Sequence, residues 1–319
     1  MVARAFPRKR RRGGHPFCAC LGTGKGVPVT ALTIGIVGLG RMGLGMAANC
    51  AAKGFRTLGS DPSPERMAMA AGKGVMLAAG LADLVAASDV VIASLPTADV
   101  VAAVVEGPGG FLARAPAHAV LVDTSTSEAG VSRRLAALAA AKGLGFVDAP
   151  VSGGPSGAEA GTLTMMIGGE ARHLARALPA LEAISAKRLH VGGPGAGNVA
   201  KLVNNLLVGA HLLTVSEAVR LSEAAGVPAA DVLAVVNAAS GRSAVSEVNY
   251  PRWVLNGAFD SGFTMGLMRK DVRLAAALAA ESGVDLPVSE LVARIWADSA
   301  ARLADGEDFN RIVEDRPTP

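Results

Sequence analysis

Two hydrophobic patterns divide the chain. Up to about Val191, short aliphatic runs alternate with longer stretches of helical composition; beyond Gly195 only the helical pattern remains. The short runs, Leu32–Gly38, Phe55–Ser60, Val90–Ala93, Val120–Val122, Phe146–Val147, Gly161–Gly168 and Arg188–Val191, are predicted as strands. The first, Leu32-Thr-Ile-Gly-Ile-Val-Gly38, is short and β-branched, as a buried parallel strand should be. Helices are predicted from Gly43 through Lys53, near 63–72, 80–87, 97–106 and 128–142, and over Glu170–Ser185. Strand and helix in alternation make a doubly wound α/β sheet. Gly192-Gly-Pro-Gly195 is the strongest break and puts a boundary between an α/β domain, 31–193, and an all-α domain, 194–319. The second domain opens with 196–225, an apolar run without proline that predicts one long interdomain helix; Ala229–Ala239, a stretch near 265–282 and Pro287–Leu303 follow.

In such a sheet, ligands bind at the loops after the strand C-termini. The first of these is Gly38-Leu39-Gly40-Arg41-Met42-Gly43. A G-x-G-x-x-G alone is weak, but here it follows a strand and opens a helix, and Asp61 ends the next strand eighteen residues past Gly43. Gly38 allows the tight turn, Gly40 lets the backbone approach a pyrophosphate, and Gly43 lets helix pack on strand. The helix N-terminus then faces the phosphates, and Asp61 can accept hydrogen bonds from the ribose hydroxyls. Residues 31–193 thus read as a Rossmann-type dinucleotide-binding domain. Leu95-Pro96, Thr124–Ser127 with Thr126, and Ser152-Gly153-Gly154 fall on the same crevice. The last is either an ordinary turn or a hydroxyl with N–H groups that can bind a carboxylate.

On the long helix, Lys201 and Asn205 are four residues apart and share a face, with Asn204 beside them. An amine with two carboxamides in an apolar segment is costly without polar partners. The plain reading is a lysine snorkelling at the helix start. The chemical one is a buried amine that gives and takes a proton.

Charge changes the picture only at one end. Residues 1–30 hold seven of the 31 Lys and Arg and no acid, leaving 24 basic against 27 acidic residues in the rest, a net of −3. A mildly acidic body argues against nucleic-acid binding through the fold. The Arg8–Arg12 cluster reads as a solvated, disordered tail, dispensable to the fold, with a true start expected at Val27 or Val29. Cys18, Cys20 and Cys50 form neither a disulfide framework nor a metal set, and the five histidines lack ligand spacing; a reducing cytoplasm and no metal are expected. No membrane-spanning segment is expected either.

Five motifs, in order, carry a resemblance: Gly38–Asn49 (GLGRMGLGMAAN), Asp123–Ser127 (DTSTS), Asp148–Gly161 (DAPVSGGPSGAEAG), Gly195–Asn205 (GAGNVAKLVNN) and Met268-Arg-Lys270-Asp271. From about Leu32 to Val313 the chain resembles the β-hydroxyacid dehydrogenase family, which includes 3-hydroxyisobutyrate dehydrogenase and tartronate semialdehyde reductase. The resemblance implies that Lys201 is the catalytic acid/base and that Asn205 holds the substrate and supports Lys201, with Asn204 beside it. It implies that Ser152, Gly153 and Gly154 grip the substrate carboxylate. Leu95, Pro96 and Thr126 would line the cofactor beside the glycine turn, and Lys270 would reach it from the helical domain. NAD is expected over NADP, because Asp61 repels a 2′-phosphate and Pro62-Ser-Pro64 offers no cation; Arg66 leaves NADP possible. Homodimers or homotetramers are implied, with the long helix between subunits. The expected reaction is oxidation of a small 3-hydroxy acid, 3-hydroxyisobutyrate first, with Ser240-Gly-Arg242 offering a second positive contact. Tartronate semialdehyde reduction and oxidation of L-serine or L-threonate fit the same clamp. Two other readings are an imine reductase, where the lysine is usually replaced, and a non-catalytic dinucleotide-binding protein docked by Arg8–Arg12.

Overall fold

The structure, a computed structural model, describes residues 32–315. The basic tail at 1–30, with Arg8–Arg12, Cys18 and Cys20, lies outside the described residues. The α/β part runs β1 (Thr33–Val37), α1 (Arg41–Ala52), β2 (Arg56–Ser60), α2 (Pro64–Ala71), β3 (Met76–Leu77), α3 (Leu81–Ala87), β4 (Val90–Ala93), α4 (Ala98–Glu106), α5 (Phe111–Arg114), β5 (Val120–Asp123), α6 (Ala129–Ala141), β6 (Gly145–Asp148), β7 (Val151–Ser152), α7 (Gly154–Ala160), β8 (Leu163–Gly169), α8 (Ala171–Ile184) and β9 (Ser185–Gly192). The helical part is α9 (Ala196–Ala224), α10 (Ala229–Ala238), a π-helix at Val245–Val254, α11 (Met265–Glu281), α12 (Pro287–Asp298), and 3₁₀ turns at Ser299–Ala301 and Phe309–Glu314.

Strands β3-β2-β1-β4-β5-β6 are parallel in that spatial order. The order reverses beside β1, which opens the ligand crevice between the ends of β1 and β4. Beyond β6 the sheet turns mixed. Strand β8 runs antiparallel to β6 and to β7, its short continuation, and β9 pairs parallel on the other flank of β8. Helices α1 and α8 cover one face over a core that includes Ile34, Ile36, Met46 and Leu181. Leu84, Val101, Val104, Phe111 and Leu135 fill the other face. A third core holds the helical part together around Trp296, Met268, Val272 and Leu212.

Several stretches depart from expectation: β3, α5 and β7 are not among the predicted elements, and β9 starts at Ser185 rather than Arg188. Ser152–Gly161 is not a plain turn leading into a strand: Gly154–Ala160 forms α7, Gly161 closes it at φ +67°, and β8 starts at Leu163. Two glycines and a proline hide so short a helix from propensity, yet Pro155 sits in its first turn, where the ring is tolerated. Helix α12 stops at Asp298 rather than Leu303, and the chain tightens into a 3₁₀ turn. The unassigned stretch after Ala239 contains the π-helix. In addition, α9 is long enough, at about 44 Å, and apolar enough, at mean hydropathy 1.3, to cross a membrane. In the structure its start packs on β8 and β9, and its later turns pack against α10, α11 and α12.

Candidate active site

The glycine turn has the shape a dinucleotide needs. Gly38 sits at φ +87°, and a side chain there would meet the Ser94 carbonyl at 2.4 Å. A Cβ on Gly43 would lie 1.9 Å from the Gly38 carbonyl, so helix α1 closes on β1 only with glycine there. Above Gly40 the space is open, the nearest atom to an added Cβ being Arg66 Nη1 at 4.0 Å. That cradle, with the N-terminus of the twelve-residue α1 behind it, fits a pyrophosphate. Leu39 and Met42 turn inward, Leu39 fully buried, while Arg41 is exposed. Asp61 meets the backbone with both oxygens: Oδ2 accepts the Leu39 N–H at 2.7 Å and Oδ1 accepts the Ser63 N–H at 2.9 Å. It therefore ties β2 to the glycine turn. Arg66 lies 3.5 Å from the same Oδ2, so a cation does stand beside this carboxylate.

The next loops meet at the same crevice. The Leu95 N–H donates to Ser125 Oγ at 2.9 Å, which links the loops after β4 and β5; Pro96 is exposed beside it. Thr126 gives its carbonyl to Lys270 Nζ at 2.9 Å. Lys270 thus reaches from α11 to the loop after β5. Its Nζ also lies 3.3 Å from Asp271 Oδ1.

Lys201 is buried on α9, 7% exposed. Burial drives its pKa below the ordinary lysine value; Asp271 pulls it back up and Lys270 pushes it further down. Asn205 is equally buried and donates from Nδ2 to Asp271 Oδ2 at 2.6 Å, while its Oδ1 accepts from Asn204 at 3.0 Å. Asn205, and Asn204 through it, are therefore joined to one carboxylate on α11, whose charge also acts on Lys201. That carboxylate, Asp271, lay inside a quoted motif without a role; its place beside Lys270 was the available signal. Snorkelling is excluded by the burial of Lys201.

Two further residues fix α9. Its N-cap, Gly195, has no side chain, and Asp148 at the end of β6 takes over: Oδ1 accepts the Gly195 N–H at 2.7 Å and Oδ2 the Asn198 N–H at 2.9 Å. A carboxylate at a helix N-terminus is well placed against the macrodipole. Burial still raises the Asp148 pKa, with those amide bonds working against the rise. One turn before Lys201, Asn198 accepts the Ser127 N–H and donates to Ser132 Oγ, each at 3.0 Å. Both residues belong to quoted motifs, but only the fold shows what they hold. Asp123, paired in register with Asp148, is fully buried, and burial pushes its pKa up to about 7. Its Oδ1 accepts the Ser125 N–H at 2.9 Å, and its Oδ2 has no hydrogen-bond partner.

Ser152 ends β7; Gly153 and Gly154 follow at φ +127° and +62°. The first turn of α7 leaves leading N–H groups without intrahelical acceptors. Asn49 holds this element to α1, donating to the carbonyls of Ala158 at 2.8 Å and Glu159 at 3.0 Å. Arg242, by contrast, is not brought in: its side chain is 61% exposed and faces Glu247 at 3.9 Å.

The family model described as the NAD binding domain of 6-phosphogluconate dehydrogenase matches residues 33–193, and the one described as NAD-binding of NADP-dependent 3-hydroxyisobutyrate dehydrogenase matches 195–315. A 2-(hydroxymethyl)glutarate dehydrogenase of Eubacterium barkeri is 35% identical over 89% of this chain and 94% of its own. A probable 3-hydroxyisobutyrate dehydrogenase of Mycobacterium tuberculosis is 37% identical over 88% and 96%. A solved structure of M. tuberculosis 3-hydroxyisobutyrate dehydrogenase with L-serine superposes at TM-score 0.83, with 36% identity, over 89% of this chain and 98% of that one. Glycine turn, capped long helix and whole-length likeness agree: the chain belongs to the β-hydroxyacid dehydrogenase family of NAD(P)-dependent oxidoreductases.

Proposed function

We propose that this NAD-dependent hydroxyacid dehydrogenase oxidises a small acid of the form HOCH2–CHR–COO⁻, 3-hydroxyisobutyrate (R a methyl) first, with Lys201 as acid/base. The observation that carries the role of Lys201 is its burial next to the Asn205–Asp271 pair. Burial lowers its pKa, so the amine can take the hydroxyl proton; the ammonium can return one to an aldehyde oxygen. Asp271 keeps the protonated form within reach, and Asn205, held by Asp271, orients the hydroxyl beside Lys201. Ser152, Gly153 and Gly154 hold the carboxylate, with Asn204 behind Asn205. NAD, when bound, supplies the hydride acceptor. The glycine turn, Asp61, Leu95, Pro96 and Thr126 would hold it, and Lys270 would keep the helical domain against those loops.

The names of the relatives support the substrate class. The acids they contain, 3-hydroxyisobutyrate, 2-(hydroxymethyl)glutarate and L-serine, share the HOCH2–CH–COO⁻ core and differ only at R. We place the enzyme in the cytoplasm, with residues 31–193 and 194–319 as its two domains. We assign it a homo-oligomeric state in which the exposed Val203 and Leu207 of α9, with Leu189 and Val191 of β9, meet a second copy. The test is a panel of 3-hydroxyisobutyrate, L-serine, D-glycerate and L-threonate with NAD, ranked by kcat/KM. The expectation is 3-hydroxyisobutyrate first. If it ranks last while L-serine or D-glycerate turns over well, the choice of R falls and the core stands; L-threonate, whose HOCH2 is one carbon further from the carboxylate, ranking first would overturn the core as well.

A further inference from the structure

One buried carboxylate stands apart from the Lys201–Asp271 network. Asp308, 9% exposed, opens the 3₁₀ turn at Phe309–Glu314 and uses its two oxygens for different tasks. Oδ1 stays local, accepting from the Asn310 N–H at 3.0 Å and from Asn310 Nδ2 at 2.8 Å. Asn310, fully buried, accepts in turn from Asn249 of the π-helix at 2.8 Å. Oδ2 points the other way and accepts the Ser261 hydroxyl at 2.5 Å. A helix cap needs only the first oxygen; the second holds a distant turn.

That turn lies against the candidate site. The Ser261 carbonyl is 3.8 Å from where a Cβ on Gly154 would stand. Gly262 is left-handed at φ +81°, and a side chain there would meet Arg41 Nη2 at 2.9 Å and Pro155 Cγ at 3.1 Å. The turn therefore lies beside Gly154 and Pro155 and beside Arg41, the residue that follows Gly40. Just before it, Phe259 holds φ +43°, a conformation that persists only where its surroundings impose it. Arg311 stacks over the Phe259 ring at 4.5 Å, the Phe309 N–H donates to the Phe263 carbonyl at 3.0 Å, and the Phe263 and Phe309 rings meet edge-on at 5.2 Å. The C-terminal segment thus braces the turn from behind.

We propose that Asp308 is a positioning residue for the acid substrate: through Ser261 it holds the Ser261-Gly262 turn as the wall that closes the Ser152–Gly154 carboxylate clamp. This rests on reading Ser152–Gly154 as that clamp. Lys201 is untouched by the turn, so loosening it weakens acid binding and spares the chemical step.

The experiment is steady-state kinetics at saturating NAD, with the best acid of the panel, on Ser261→Ala, Asp308→Asn and Gly154→Ala. Ser261→Ala removes only the outward bond and leaves the Asp308–Asn310 cap whole. It is expected to raise KM about tenfold, the worth of one hydrogen bond to a charged group, with kcat within about twofold. Asp308→Asn can still bond both Asn310 and the Ser261 hydroxyl, and should fall back to within about threefold of the wild-type KM. If Gly154→Ala raises KM while Ser261→Ala does not, the turn is structural and this proposal alone falls. A loss of kcat at unchanged KM in Ser261→Ala overturns it equally. If Gly154→Ala leaves KM unchanged, the clamp reading fails and the proposal fails with it.

Discussion

Replacing Lys201 by methionine separates its proton-transfer role from any structural one. The methionine side chain is of similar reach and apolar, so it fills the same buried position. Acid/base help from one side chain is worth about 10²–10⁴ in rate, or roughly 2.7–5.4 kcal/mol of barrier. Lys201→Met should lose that much kcat while NADH binding, read by fluorescence titration, stays within about threefold. Stability should move the other way. Burial lowers the Lys201 pKa in the fold, so the unfolded chain holds the proton more tightly. The buried ammonium therefore costs stability below its folded pKa, and the cost fades as pH rises through that value toward the ordinary lysine value of about 10.4. At neutral pH the variant should melt no lower than wild type, and its advantage should shrink in alkali. A variant that keeps more than about a tenth of wild-type kcat refutes the mechanism. So does one whose cofactor affinity falls in step with its rate.

Asp271→Asn removes the charge that raises the Lys201 pKa, so the alkaline-rising limb of the oxidation rate should move to lower pH; an unmoved limb would sink the pairing. Asp123, with its pKa raised from 3.8 to about 7, favours the fold when protonated, so its contribution is full below the unfolded value and lost as pH climbs through about 7. Asp123→Asn should flatten that fall in urea midpoints, and a wild-type midpoint constant across the window would count against a buried neutral carboxyl. NAD should be preferred over NADP by kcat/KM, and Arg66→Ala should widen the gap by removing the cation beside Asp61. Equal use of both cofactors by the arginine-free variant would show that Asp61 does not discriminate.

The α/β framework was readable because most strands are compact apolar runs closed by a chemically distinctive loop; the two-residue β3 and β7 are not, and went unseen. Val90–Ala93 and Val120–Val122 needed no tertiary information to find. The glycine turn was legible for a steric reason: Gly43 leaves no room for a side chain, and the sequence records that as glycine. Helix α7 was not legible, because Gly154-Pro-Ser-Gly has poor local propensity and is held through Asn49 on α1. Asp61 read as a ribose acceptor, yet its hydrogen bond to the Leu39 N–H joins residues 22 apart, which no local pattern encodes. Arg242 failed for the same reason in reverse: a motif resemblance placed it near the substrate, and the chain turns it toward solvent.

Three long-range polar bonds that sequence alone does not show gather around α9 and α11, where the helical part meets the α/β part. Asp148 caps α9 across 47 residues, Lys270 reaches Thr126 across 144, and Asn205 meets Asp271 across 66. Each is a charged or amide group bonded to a backbone or carboxylate partner, and each lies wholly or mostly out of solvent. Such bonds are directional, and unlike apolar contacts they lose most of their strength with a shift of an ångström or so. An apolar joint would let α9 slide or roll against the sheet with little penalty. This one fixes the roll of the first two turns of α9, which carry Lys201. Buried polar groups at a joint contribute little net stability compared with apolar packing. On the proposed mechanism they hold two domains in the single register that hydride transfer from a carbon and proton transfer from its hydroxyl oxygen demand.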